Sequence, residues 1–416
     1  MIFRFIAAII FATWLIWQIP FSATDEIRLP EISAFASYSD ATPTAAESPA
    51  LVFFRKGEVG QYTAYGLNAA GAMVRQQRLP GSEITKADDT KISLSGKEGY
   101  LTAPENGAYY IWYPQIGTQA FVFNEQGNFL WEKEESHYLN ALPRGRFIMA
   151  AAGDHSRMLF MNPDFKVHAD FQGVLFTRFI VDDNPDLKTA QVCLASLDGE
   201  LIIAHLDRKL YARHKLGYAL KALQCDFETG EFAAIVERTV EVEKRPTQRD
   251  FLMRAKFNLV TPKEDKPSET MRMVAGEIDV ILTSELPVLT QTASPLVLAG
   301  DSACFMQTAP EGEGGTDRLA LYFTPGKKSA LKHIVLAAPR ATENAVAADL
   351  SADLWRGAGI RLKNESACLF THRSGRFIIA NRRGILLDRN DLAVERMIVR
   401  GEIAYFQTEK GILTFK

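Results

Sequence analysis

One unit recurs along this chain and restricts the folds open to it more than any other feature. It is a short apolar run, a polar turn that usually holds glycine, then a second apolar run. Copies read LVFFRKGEVGQYTAYGLN (51–68), GYLTAPENGAYYIWY (99–113), FIMAAAGDHSRMLFMN (147–162) and QVCLASLDGELIIAHLD (191–207). They continue as LQCDFETGEFAAIVE (223–237), the longer-turned ACFMQTAPEGEGGTDRLALYF (303–323), ACLFTHRSGRFIIANRR (367–383) and the final IAYFQTEKGILTFK (403–416). Short runs rich in Phe, Ile, Val, Leu and Tyr, cut by Gly, Asp, Asn and Pro, predict strands, and helical periodicity is scarce.

The unit is therefore an antiparallel hairpin. A hairpin repeated every ~30–50 residues is the pattern of a β-propeller, whose blades are small twisted sheets that cannot bury their faces alone. The expected fold is all-β, a propeller of seven blades, with eight as the alternative. Seven is preferred because the step from residue 191 to 223 is short for a four-stranded blade. The step from 223 to 303 is long and carries a charged insertion near 238–272. It is expected as elongated outer strands joined by a charged loop at Pro262–Ser268. The C-terminal strands are expected to complete a blade with strands from near residue 51, removing free sheet edges.

Arg4 precedes an apolar run from Phe5 to Ile19, closed by Pro20, which is the layout of a secretory signal. A cut after Ala23 would place bulky Phe21 where a small residue is preferred, and Ala34-Phe35-Ala36 lies far from the apolar run. An uncleaved signal-anchor is therefore expected over residues 1–22, as an N-terminal hydrophobic helix with residues 5–21 as an inner-membrane tether, and a removed signal peptide as the alternative. Arg4 would stay cytoplasmic and the rest would be exported to the periplasm or another extracytoplasmic space. Residues 23–50, mostly Ala, Ser, Thr and Pro from Ser33 on, read as a linker, with the propeller spanning 51–416. A formal net charge of −3 argues against a nucleic-acid binder, which needs a basic excess to neutralise phosphates.

FNEQGNFLWEKE (123–134) resembles the repeat of the quinoprotein-like (PQQ-like) propellers, in which a polar turn ending in Gly precedes an aliphatic-Trp strand; Trp131 holds the Trp position. Ala103, Ala150 and Ala151 resemble the small residues those repeats place before the turn. The resemblance implies a fold and carries no activity across.

Candidate chemistry is sparse. Cys193, Cys225, Cys304 and Cys368 all fall early in the first strand of their hairpins. Equivalent positions on packed sheets lie ~10 Å apart, whereas bridged cysteines need Cα atoms within ~7 Å. Buried free thiols are therefore expected, with Cys193 and Cys225 the pair best placed to break the rule. The seven histidines, His137, His155, His168, His205, His214, His333 and His372, form no HxxxH or HExxH spacing, and no GxSxG elbow occurs. Asp182, Asn184 and Asp186 open like a calcium loop, but Leu187 and Cys193 stand where that loop needs Gly and Glu, so a polar turn is expected. No catalytic, cofactor-binding or metal-binding residues are assigned.

The densest aromatic cluster runs from Tyr109 to Trp131 and is expected to fill the space between blades; Tyr110 and Trp112 are its candidates for partner binding. Arg245 and Arg249 in the charged insertion are the other two. CLFTHRSGRFIIANRRG (368–384) reads as one repeat whose turn is Ser374-Gly375. Arg373 and Arg376 would flank the turn in solvent, and His372 would be the one residue with a further claim. The function expected is a non-catalytic protein-interaction scaffold, membrane-tethered in the cell envelope, with envelope or membrane proteins as partners. A carbohydrate-active or quinone-dependent propeller enzyme, or a small-ligand sensor, is the alternative.

Overall fold

Every one of the eight hairpins forms, and each lies in a sheet of its own. The computed structural model describes residues 25–28 and, from 51 onward, the strands and most of their turns. Residues 1–24 and 29–50, the segments 261–269, 287–294, 310–317 and 337–354, and several short turns lie outside the described residues. The expected N-terminal helix falls there. Among the described residues no helix is long and apolar enough to cross a membrane.

The larger of two units, residues 36–288, holds five antiparallel sheets in chain order. Sheet 1 comprises Leu51–Lys56, Tyr62–Leu67 and Met73–Leu79. Sheet 2 comprises Gly99–Thr102, Tyr109–Pro114, Gln119–Asn124 and Phe129–Glu134. Sheet 3 comprises His137–Ala141, Ile148–Ala152, Arg157–Met161 and Val167–Gln172. Sheet 4 comprises Phe176–Asn184, Thr189–Ser196, Glu200–His205 and Leu210–Lys215, with Arg272–Met273 added in parallel at its edge. Sheet 5 comprises Ala219–Asp226, Glu231–Val242, Arg245–Leu259 and Gly276–Glu285. A small hairpin, Glu83–Thr85 with Lys91–Ser93, lies between sheets 1 and 2 in the chain.

The second unit, residues 1–35 with 289–416, holds three more. Sheet 6 comprises Val297–Ala299, Ser302–Ala309, Arg318–Phe323 and Lys332–Val335. Sheet 7 comprises Trp355–Leu362, Glu365–His372, Phe377–Asn381 and Gly384–Arg389. Sheet 8 comprises Arg396–Arg400, Ile403–Thr408 and Gly411–Phe415, and its last strand pairs with Asp25–Arg28. The chain end is thus closed by residues inside the stretch read as linker. The strands from residue 51, expected to close it, build sheet 1 instead.

Within each unit the sheets stack face to face in chain order. Along Thr189–Ser196, Val192 and Leu194 pack toward sheet 3 while Cys193 and Ala195 pack toward sheet 5. Along Glu365–His372, Cys368 and Phe370 pack against sheet 6, and Ala367 and Leu369 against sheet 8. A strand buried on both faces has no use for a polar alternate, which is why these segments are continuous apolar runs. Each Leu, Ile or Phe so buried contributes about 1.5–3 kcal/mol, and half of that burial is supplied by a neighbouring sheet. The architecture is that of propeller blades.

The first strands of consecutive sheets also run beside one another, as Val297–Ala299 does with Trp355–Leu362. Gly359 makes that approach possible, because a Cβ there would press into the backbone carbonyl oxygen of Leu298. Gly359→Val is expected to cost about 2–4 kcal/mol, read as a lowered midpoint in thermal or urea unfolding.

Candidate functional site

The long step between hairpins turns out to be a projecting ribbon. The strands Glu231–Val242 and Arg245–Leu259 pair with each other from Glu231 opposite Lys256 to Val242 opposite Arg245. Their flanking strands stop sooner. Ala219–Asp226 ends its pairing at Glu237, and Gly276–Glu285 ends at Phe251. The elongated strands are thus the second and third of sheet 5, not outer ones. From the pair Arg238–Arg249 to the tip the ribbon is two-stranded, about 16 Å at ~3.3 Å per residue.

Its tip is a two-residue turn with φ of 50° at Glu243 and 64° at Lys244. Such turns favour Asn-Gly. Glu and Lys in the left-handed region carry strain that Asn-Gly would avoid.

The ribbon is braced where it leaves the sheet. The Arg238 guanidinium lies 4.0 Å from the Tyr218 ring centroid and 5.3 Å from that of Phe251, a cation–π clamp. Lys221 bridges both strands, 2.7 Å from Glu237 Oε2 and 2.7 Å from Asp250 Oδ1. Burial alone would lower the Lys221 pKa, but the hydrogen bonds to Asp250 and Glu237 outweigh it and raise the value. Deeper in the sheet, Arg254, 1% exposed, donates to Glu231 Oε2 at 2.8 Å. A buried pair of this kind is costly to break from one side.

The four partner-binding candidates separate cleanly. Arg245 is exposed at the tip, and Arg249 is half-buried with its Nε 3.8 Å from Glu285. Tyr110 and Trp112 are both 0% exposed and belong to the core between sheets 1 and 2. Tyr110 meets Phe54 edge-on at 6.0 Å and Trp112 meets Phe121 at 5.8 Å. They present no surface to a partner, because in a sheet packed on both faces even alternate aromatics are enclosed.

Other expectations are corrected too. Cys304 and Cys368 form a disulfide across sheets 6 and 7, with Cα atoms 6.3 Å apart, while Cys193 and Cys225 are free and buried. The ~10 Å spacing of flat packed sheets does not hold where Gly359, directly opposite Cys368, lets sheet 7 approach sheet 6. Arg376 is not solvated but 3% exposed, paired with Asp388 at 3.0 Å, and Arg373 lies outside the described residues. His372 is buried with its ring 4.8 Å from that of Trp355. Asp182 and Asn184 stand in a strand opposite Gln191 and Thr189, not in a turn; Asp186 lies outside the described residues.

The histidines with described side chains are spread over sheets 3, 4, 6 and 7: His168 bonds the Leu206 carbonyl, His214 touches the Gly276 position and His333 stacks on Tyr322. Among the described residues no three metal-ligating side chains converge.

No family model and no curated protein matches this sequence. Solved structures do. BamB from Moraxella catarrhalis aligns over 94% of this chain and 96% of its own at 12% identity and a TM-score of 0.49. The Pan2 WD40 domain of Neurospora crassa aligns over 77% and 89%, at 7% identity and a TM-score of 0.40. The likeness is one of propeller fold.

Two outcomes test the geometry. Arg238→Ala is expected to leave the global unfolding midpoint nearly unchanged while amide exchange across 239–249 speeds up by about tenfold, since the clamp holds only the ribbon. His205 is half-buried, and burial first and the nearby Arg208 charge second bring its pKa from 6.5 to about 4, against the pull of Asp207. The unfolded chain therefore takes up a proton near pH 6.5 that the folded one refuses until about pH 4. His205→Gln should flatten the stability lost between those values, by ~1 kcal/mol after screening, in urea melts at stepped pH.

Proposed function

We propose that this chain is an exported, membrane-tethered β-propeller that acts as a non-catalytic protein-interaction scaffold in the cell envelope. It engages an envelope or membrane protein through the ribbon at 238–250. The observation that carries this reading is the ribbon itself: two strands leave the stack, are clamped at their base, and hold Arg245 at a strained tip. Segments that project from a rigid scaffold are where binding concentrates.

Export is supported by the apolar run after Arg4 and, independently, by the Cys304–Cys368 bridge, a feature of oxidising compartments. The pairing of Asp25–Arg28 with the last strand adds a consequence. Only residues 21–24 separate Pro20 from that strand, so a retained tether would hold sheet 8 within about 15 Å of the bilayer. We read each of the eight sheets as a blade, and so favour eight blades over seven.

The test is capture of partners from solubilised envelope membranes by the full chain and by the Arg245→Glu variant. Charge reversal at the tip should reduce recovery of the captured partner by at least about tenfold, with the unfolding midpoint unchanged. Equal recovery by both proteins overturns the ribbon as the docking element.

A further inference from the structure

The chain's other two cysteines occupy a setting like that of the bridged pair. Cys193 lies on the second strand of sheet 4 and Cys225 on the first strand of sheet 5. Both project into the apolar layer that these two sheets share, beside Ile203, Phe232 and Ala234. Cys304 and Cys368 do the same between sheets 6 and 7. In the structure Cys193 and Cys225 are buried free thiols, and the strands that carry them run beside each other, as those of Cys304 and Cys368 do. The two sheets are also drawn close here: the Leu220 amide donates to the Leu197 carbonyl at 2.9 Å, and Arg178 donates to the Lys221 carbonyl at 3.1 Å.

We propose that Cys193 and Cys225 close as a second inter-sheet disulfide, so that each unit of the chain carries one covalent link between neighbouring sheets. The oxidant is a disulfide, either of a carrier protein or of glutathione. One cysteine thiolate attacks it, forming a mixed disulfide and expelling one carrier thiolate. The other cysteine then attacks the mixed disulfide and expels the second. Two protons leave the cysteines, two electrons pass to the carrier, and it departs as two thiols.

Timing follows from burial. Once the sheets dock, Cys225 is enclosed, and burial first and the nearby Cys193 second push its pKa well up, so it persists as an unreactive thiol. The exchange therefore takes place before sheets 4 and 5 close on one another. In the cell this rests on the exported location proposed above.

The full chain, isolated from an envelope and blocked with N-ethylmaleimide in denaturant at lysis, is digested without reductant and mapped by mass spectrometry. The expected result is two cross-linked peptides, Cys304–Cys368 and Cys193–Cys225, with loss of label at all four positions. A Cys304–Cys368 link beside labelled Cys193 and Cys225 overturns this proposal and leaves export standing. Label on all four overturns both. The same protein, reduced, unfolded and oxidised by glutathione disulfide during refolding, should regain both links. Recovery of Cys304–Cys368 alone there counts against a Cys193–Cys225 bond whatever the compartment.

Discussion

Burial of the inner sheets of each unit on both faces is the constraint from which the rest of this structure follows. A sheet with one wet face can alternate apolar and polar residues, but these central strands cannot. Val192 and Leu194 answer to sheet 3 while Cys193 and Ala195, alternating with them, answer to sheet 5. Removing either neighbour would expose half of each strand, at about 25 cal/mol for each Å² uncovered. No sheet is therefore stable alone, and the repeat is obligatory because each copy is the core of the next.

Two-sided stacking also demands that the sheets come close, and closeness has to be built. Trp355–Leu362 runs WRGAGIRL, with Gly357 and Gly359 bracketing an alanine where its neighbour passes. The absence of a side chain at Gly359 sets the distance that lets Cys304 and Cys368 bond. At Gly199, with φ of +82°, a Cβ would run into the Tyr218 carbonyl, so the turn of sheet 4 rests directly on the start of sheet 5. The cysteine expectation failed on this point: it used the spacing of flat sheets, and a glycine opposite a cysteine is the signal that could have corrected it.

The same logic separates what the sequence made legible from what it did not. The hairpins were legible because a doubly buried strand is an unbroken apolar run bounded by turn residues, and all eight stand where those runs predict them. Their rank within each sheet was not. The hairpin at 223–237 supplies the first and second strands of its sheet, whereas that at 191–207 supplies the second and third. That one-strand shift produces the short step. Nor could the fate of single polar residues be read. Arg376 sits beside a turn, where solvent is the default, yet Asp388 on the next strand of the same sheet draws it in. Asp25–Arg28 carries three charges in four residues and resembles no strand; it becomes one only because the last strand offers an unpaired edge.

The ribbon is the place where the constraint lapses. Beyond Glu237 the strands lose both flanking neighbours, so the apolar run EFAAIVE gives way to RTVEV and then to KRPTQRD. A free two-stranded hairpin is marginal in water. This one substitutes local interactions for burial: a guanidinium held between two rings, and an ammonium shared by two carboxylates. Such contacts stabilise less than a core does and leave two backbone edges and an exposed arginine in solvent. A chain selected only for stability would close sheet 5 at Glu237 with a short turn. The extra residues, their clamp and their strained tip lie outside the stack and add nothing to its core.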